Sequence, residues 1–317
     1  MGKKNKNAKA QAKKAARKAA GERIQKQQAA LKAARETGSP LEQLPPPFVA
    51  FARNGLDAAL EFATAATLAA PDKAAVEQLL EANMAPIYGA EEWEKQARAE
   101  KAKQLAEEDT RLLLVRSKAP AATPSPAASP VKDAAQEDAP EEAAPAAAEP
   151  AEAEDAPAKA PGAAQDILAF MHYRYEIEED CLVLYIYELQ VAQNEATRRK
   201  GLGKHMLLLA EMIAKKSGMS GVMLTCQRAN AAAQAFYISC KYAVDNISPG
   251  KCDPSAEADE YDYEIFSKVW DPEARSVLDK RAEVAMKANM EGGGAKMKAE
   301  FGNREGHMDT SRNKLLP

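Results

Sequence analysis

The stretch that decides the fold runs Tyr185-Ile186-Tyr187-Glu188-Leu189-Gln190-Val191 and, past a polar loop, Arg198-Arg199-Lys200-Gly201-Leu202-Gly203-Lys204. Leu182–Val191 is rich in aliphatic and aromatic residues and reads as a strand. Both of its faces are largely apolar, so it belongs at the centre of a sheet covered on both sides. Leu202–Lys216 follows with Met206, Leu207, Leu209, Ala210 and Ile213 at helical spacing and Gly218 near its end. Between strand and helix, glycines let backbone N–H groups approach an anion. The helix N-terminus adds about half a positive charge. Arg198, Arg199, Lys200 and Lys204 add side-chain cations. A pyrophosphate is the guest this pattern implies. The pattern is neither the Walker loop nor the dinucleotide G-x-G-x-x-G. An ordinary glycine turn with surface bases is the alternative.

Working outward, Ile167–Glu178 reads as a strand that turns at Glu179-Asp180 into Leu182–Val191, a hairpin. Gly221–Cys226 is a further buried strand, Asn230–Cys240 a helix and Tyr261–Trp270 a last strand. Residues 165–270 hold 12 of the 18 aromatics, so the core is sought there. Upstream, Val76, Leu79, Leu80 and Met84 give residues 72–108 a helical reading that Pro86 breaks or kinks. Arg111–Val115 is a short apolar strand. The fold class is mixed α/β.

The net charge of −4 is a cancellation. Residues 1–35 hold twelve Lys/Arg against Glu22 alone, and 119–164 hold 20 Ala, 9 Pro and a net −7. The rest of the chain carries −8, which points away from nucleic acid as the ligand of the folded part. The 1–38 arm is rich in helix formers without an apolar stripe, so a helix there has little to pack against. It is expected to be a disordered or helical basic arm, a nuclear signal or a ribosome or chromatin contact. The 119–164 segment cannot bury enough apolar surface to offset its ordering entropy and is expected to be disordered. Residues 271–317 read as a charged C-terminal tail. There is no run of 18 apolar residues and no secretory signal, so no membrane association is expected. Cys181, Cys226, Cys240 and Cys252 show no C-x-x-C pairing and the three histidines are scattered, so no metal site is expected.

Arg198-x-x-Gly201-x-Gly203 and Asn230-x-x-Ala233-x-x-Phe236-Tyr237 resemble the acetyl-CoA loop and a following helix of the GCN5-related N-acetyltransferases (GNAT). A closer resemblance is to the NatD-type histone N-alpha-acetyltransferases. It rests on Arg53-Asn54-Gly55-Leu56, Asn83-Met84, Tyr88, Glu92-Trp93, His172-x-Arg174, Tyr185-x-Tyr187-Glu188-x-Gln190, Thr225 and Tyr263-Glu264-Ile265. It covers about 40–117 and 166–270. It implies one GNAT domain, 39–118 with 165–270, whose mostly antiparallel sheet is interrupted by a long hairpin insertion between neighbouring strands. Loop length costs stability only logarithmically.

The resemblance implies acetyl-CoA as cosubstrate. Leu189, Gln190 and Val191 would meet the pantetheine arm, and Arg198 to Lys204 (including Leu202) with Asn230 the rest of the cofactor. It implies an N-alpha-acetyltransferase acting on histone N-termini that begin Ser-Gly-Arg-Gly, a monomer of nucleus and cytoplasm. Glu188 and Tyr187 are the candidate catalytic pair. Attack on a thioester needs a neutral amine, and an α-amino group titrates near 8, within reach of a modest base. Strict alternation puts Glu188 on the Leu184/Ile186 face, where burial would strengthen it as a base. A strand bulge near Tyr187, as family members carry, would break that alternation. The alternative is a carboxylate merely paired to an arginine. Tyr237 stands where many acetyltransferases protonate the departing thiolate, or is a packing aromatic. No cysteine is expected to act as nucleophile. Tyr88, Trp93, Glu176, Glu178, Tyr187, Thr225 and Tyr263 would bind the peptide, with Glu176 and Glu178 holding its arginine. A lysine or small-amine acetyltransferase, or an inactive GNAT-fold binding protein, remain open.

Overall fold

In a computed structural model the described residues are 2–118, 167–253 and 261–292. The 119–164 insertion and the end of the C-terminal tail lie outside them.

Eight strands form one sheet in the order β1-β2-β3-β4-β5-β6-β8-β7. They are β1 (Ala50–Arg53), β2 (Leu56–Thr64), β3 (Arg111–Ser117), β4 (Ile167–Glu178), β5 (Cys181–Val191), β6 (Gly221–Gln227), β7 (Ala243–Val244) and β8 (Tyr263–Val269). Every pair is antiparallel except β5–β6. β3 and β4 are neighbours, with Arg111 opposite Tyr173 and Arg116 opposite Ile167. The segment between them is therefore a connection within one hairpin.

One sheet face packs on α5 (Leu202–Lys216) and α6 (Ala231–Ser239), through Leu184, Ile186, Met206, Leu209 and Tyr237. The other is covered in two parts. α2 (Ala70–Tyr88), α3 (Ala90–Glu92), a π-helical turn at Trp93–Ala97 and α4 (Arg98–Ala106) pack on Leu112, Leu114 and Phe170. α7 (Pro249–Cys252) and α8 (Pro272–Gly292) pack on Val183, Tyr185 and Ile265. Pro86 sits in the last turn of α2, and the helix ends at Gly89 with φ 84°.

The two ends of the chain differ from the sequence expectation. α1 (Gly2–Glu36) does find something to pack against: Ala34 is buried, Leu31 lies on the core, and the Arg35 guanidinium donates to the Tyr175 carbonyl at 2.9 Å. Its apolar contact comes from Leu31 and Ala34, too few to register as a stripe, and Arg23, Gln27 and Arg35 add polar contacts. Residues 272–292 are not a free tail. Ala274, Leu278, Ala282 and Ala285 are buried, and Arg275 pairs with Asp245 at 2.6 Å. Three of those four are alanines, which carry little hydrophobic signal in a charged sequence.

The turn between β1 and β2 is Asn54-Gly55, with φ 55° and 74°. Both angles are positive, as a type I′ hairpin turn requires.

Candidate active site

The register of β4 against β5 sets the site. Phe170 faces Gln190 and His172 faces Glu188, but Tyr173 faces Ile186. Tyr187 is the extra residue of a bulge. Side chains alternate, so one inserted residue moves everything beyond it to the other face. Leu189 and Val191 therefore join Leu184 and Ile186 on the α5 side. Glu188 and Gln190 turn toward α2 and α4, the side of Tyr185 and Tyr187. This corrects the placement of Glu188 beside Leu184 and Ile186.

Glu188 is buried. Its Oε2 accepts from Gln190 Nε2 at 2.7 Å, and Lys101 Nζ lies 2.7 Å from its Oε1 as an ion pair. Its partner is a lysine of α4 rather than an arginine. Burial would lower the Lys101 ammonium's pKa, but Glu188 and Tyr88 outweigh it and hold it above its ordinary value. Asn83 of α2 donates to Gln190 Oε1 at 3.0 Å and to the Val191 carbonyl at 3.1 Å, fixing the strand end.

The parallel pairing of β5 and β6 stops at Ile186/Leu224, although both strands run on. Two cavities with shared lining residues lie along this end of the strands. The first, about 160 Å³, is lined by Tyr88, Lys101, Tyr187, Glu188, Thr225 and Tyr263 among others. The second, about 860 Å³, is lined by Leu189, Gln190, Val191, Arg198, Arg199, Gly201, Leu202, Gly203 and Lys204. Asn230 and Tyr237 line both.

The second cavity is built for an anion. Gly201 caps α5 at φ 89°, and His205 N–H makes the helix's first bond, to the Gly201 carbonyl. The amides of Leu202, Gly203 and Lys204 precede that bond and have no intrahelical acceptor. Lys200 does not line the cavity. Its carbonyl instead accepts from Asn54 Nδ2 at 2.8 Å, tying the loop to the β1–β2 turn. Gly203 serves packing as well, since a Cβ there would stand 3.2 Å from the Phe236 ring. Asn230 caps α6, accepting from Ala233 N–H at 3.1 Å.

Three expected peptide contacts fall elsewhere. Trp93 is buried in the core under Tyr88, with ring centroids 6.0 Å apart. Glu176 and Glu178 are buried farther along the same sheet face as Glu188, and neither lines the cavities. Glu176 is held by Arg35 and by the Tyr187 hydroxyl, each at 3.4 Å. Burial and Asp109 push its carboxyl up to about 7, against Arg35 and Arg174. Arg174 lies over the Tyr187 ring at 4.4 Å and pairs with Glu107, closing off that end. Thr225 shares a hydrogen bond with the Tyr185 hydroxyl.

Lys101 was not singled out in the sequence. Its signal was the i+4 row Trp93, Ala97, Lys101, Leu105, which places it on the inward face of a charged helix. Cys226 lines the first cavity, and burial pushes its thiol up to about 11, so it is no thiolate nucleophile at neutral pH. Burial raises Tyr237 further, so its hydroxyl keeps its proton. No group of three or more candidate metal ligands occurs among the described residues, and no described helix is long and apolar enough to cross a membrane.

The model of the acetyltransferase (GNAT) family matches residues 130–242. The sheet and its flanking helices have the GNAT fold. Among solved structures, the chain is similar to nourseothricin acetyltransferase at 15% identity and TM-score 0.29, covering 51% of this chain and 65% of that one. It is similar to a putative streptothricin acetyltransferase from Bacillus anthracis with acetyl coenzyme A, at 23% identity and TM-score 0.26, covering 34% and 59%. It is also similar to Arabidopsis thaliana NAA60 with a bisubstrate analogue, at 12% identity and TM-score 0.37, covering 67% and 99%. The chain thus spans less than two thirds of the first two.

Proposed function

From this match to the GNAT acetyltransferases, we propose that the chain transfers acetyl from acetyl-CoA to the α-amine of protein N-termini, histone starts of the Ser-Gly-Arg-Gly type among them. One observation carries the reading: a buried carboxylate, Glu188, lines a small cavity that shares Leu189, Gln190, Asn230 and Tyr237 with the cavity at the α5 N-terminus. Acetyl-CoA supplies the activated acetyl group. The cavity's features fit its pyrophosphate: unpaired helix amides, Arg198, Arg199 and Lys204, and a left-handed glycine.

Glu188 takes the proton that the acceptor nitrogen loses as it bonds to the acetyl carbon. Tyr237, at the junction of the two cavities, gives its proton to the departing sulfur. No covalent enzyme intermediate is needed, consistent with Cys226 being a protonated thiol. An α-amine suits this arrangement because it titrates near 8, against about 10.4 for lysine.

A third cavity, about 610 Å³, meets the first at Tyr88, Lys101 and Gln227. Glu92, Glu100 and Asp262 line it, while its Arg228 is paired with Glu264 at 2.5 Å. In this reading the peptide leaves through it, and its arginine meets these carboxylates rather than Glu176 and Glu178. The test is a panel of N-terminal peptides incubated with protein and acetyl-CoA, with the acetyl group located by fragmentation. Products acetylated at the α-amine, fastest for a basic third residue, are expected. A panel with no α-acetylated product rejects the reading.

A further inference from the structure

We propose that Lys101 is a positioning residue for Glu188: its ammonium group pins the carboxylate and sets the pH range over which the site works. The inference rests on Glu188 being the general base. Glu188 and Lys101 come from different elements, β5 and α4, and meet at 2.7 Å with side-chain exposures of 4% and 18%. Both line the small cavity where the acceptor nitrogen would arrive. Gln190 holds the other carboxylate oxygen, so the two contacts together fix the carboxylate plane.

The histidine, cysteine and two buried tyrosines around the carboxylate carry no charge near neutral pH. His172, opposite on β4, is fully buried, and burial, Arg174 and Lys101 drive it well below its ordinary value. Tyr187 on β5 and Tyr237 on α6 are raised by burial, and Cys226 on β6 is a thiol. Tyr88 on α2 and Tyr263 on β8 line the same cavity. Arg174 is turned to Glu107 and Asp109. Lys101 is the one charge paired with the carboxylate among the described residues. An adjacent cation favours the ionised form of a carboxyl group by about 1 to 3 pH units when close and buried.

The experiment compares kcat/KM against pH for the full chain and for the variants Lys101→Met, Lys101→Gln and Lys101→Arg, with acetyl-CoA affinity by calorimetry as the check on folding. The acid limb is expected to move up by about one pH unit or more in the two neutral variants and to stay in Lys101→Arg. An acid limb unchanged in a neutral variant that still binds acetyl-CoA overturns the proposal. So does an equal displacement in Lys101→Arg. Glu188→Gln is measured alongside. Full activity there rejects Glu188 as base, whatever the lysine variants show.

Discussion

The imidazole of His172 stacks on the ring of Tyr187 with centroids 4.9 Å apart, while the backbone of His172 pairs with Glu188. One residue of β4 thus engages two consecutive residues of β5. That is the bulge seen from its partner strand, and it lets Tyr187 and Glu188 share a face that a regular strand would divide between them.

Glu188→Gln keeps the shape of the side chain but cannot accept the amine's proton. We expect kcat to fall at least about a hundredfold at pH 7, in line with loss of a general base. Acetyl-CoA affinity should stay unchanged, since Glu188 does not line the anion cavity. Rate by single-turnover assay and affinity by calorimetry check both halves. An unchanged single-turnover rate rules out the role.

Asn54 has two jobs that one pair of substitutions separates. Asn54→Gly tolerates φ 55° and keeps the type I′ turn, but removes the bond to the Lys200 carbonyl. That bond is worth about 1 kcal/mol, so acetyl-CoA should bind about fivefold more weakly with little change in Tm. Asn54→Ala strains the turn as well and should lower both. Equal acetyl-CoA affinity in Asn54→Gly and the parent would show that the tie does not hold the loop.

Gly203→Ala brings a methyl group to 3.2 Å from the Phe236 ring, so α5 and α6 must part slightly. We expect a loss of roughly 1 to 3 kcal/mol in stability, read by denaturant unfolding. Pairing it with Phe236→Leu should recover part of the loss. Gly201→Ala should weaken the site for another reason, because φ 89° strains any side chain. Phe236→Leu should not rescue it.

Glu176 predicts an unusual pH response. Its carboxyl titrates at about 7 in the folded protein against 4.5 ordinarily. Between those values the native state holds a proton that the unfolded chain has lost, so stability falls as pH rises through this window. The contribution is fully present below about pH 4.5 and lost above 7, on the order of 3 kcal/mol. Glu176→Gln should therefore show a smaller drop in Tm between pH 5.5 and 8 than the parent. Parallel Tm curves would contradict the shift.

The region from β5 to α5 was legible because its signals are local. The β5 strand, the Arg198–Lys204 loop and α5 follow one another within 36 residues and each shows its own period or turn chemistry. The β1–β2 hairpin was not read as strands. Leu56–Thr64 is alanine-rich and alternates weakly, leaving Asn54-Gly55 as its one strong cue. α8 hid behind its charges, and Lys101 among the exposed charged residues around it in α4. The face of Glu188 was lost for a different reason. A bulge is a property of two strands in register, so the strand pattern alone does not show it; only the family resemblance pointed to one near Tyr187. Glu176 and Glu178 lie on the right sheet face, yet Arg35 from α1 and Arg174 from the same strand occupy that end.

In the proposed reaction the acceptor is a protein α-amine. The most direct test gives the protein acetyl-CoA and an equal mixture of two peptides, one with a free Ser-Gly-Arg-Gly start and one the same but N-blocked, both carrying a lysine. Mass spectrometry should find acetyl on the free α-amine and neither lysine modified. Acetylation confined to lysine, at equal rates in the two peptides, would contradict the account.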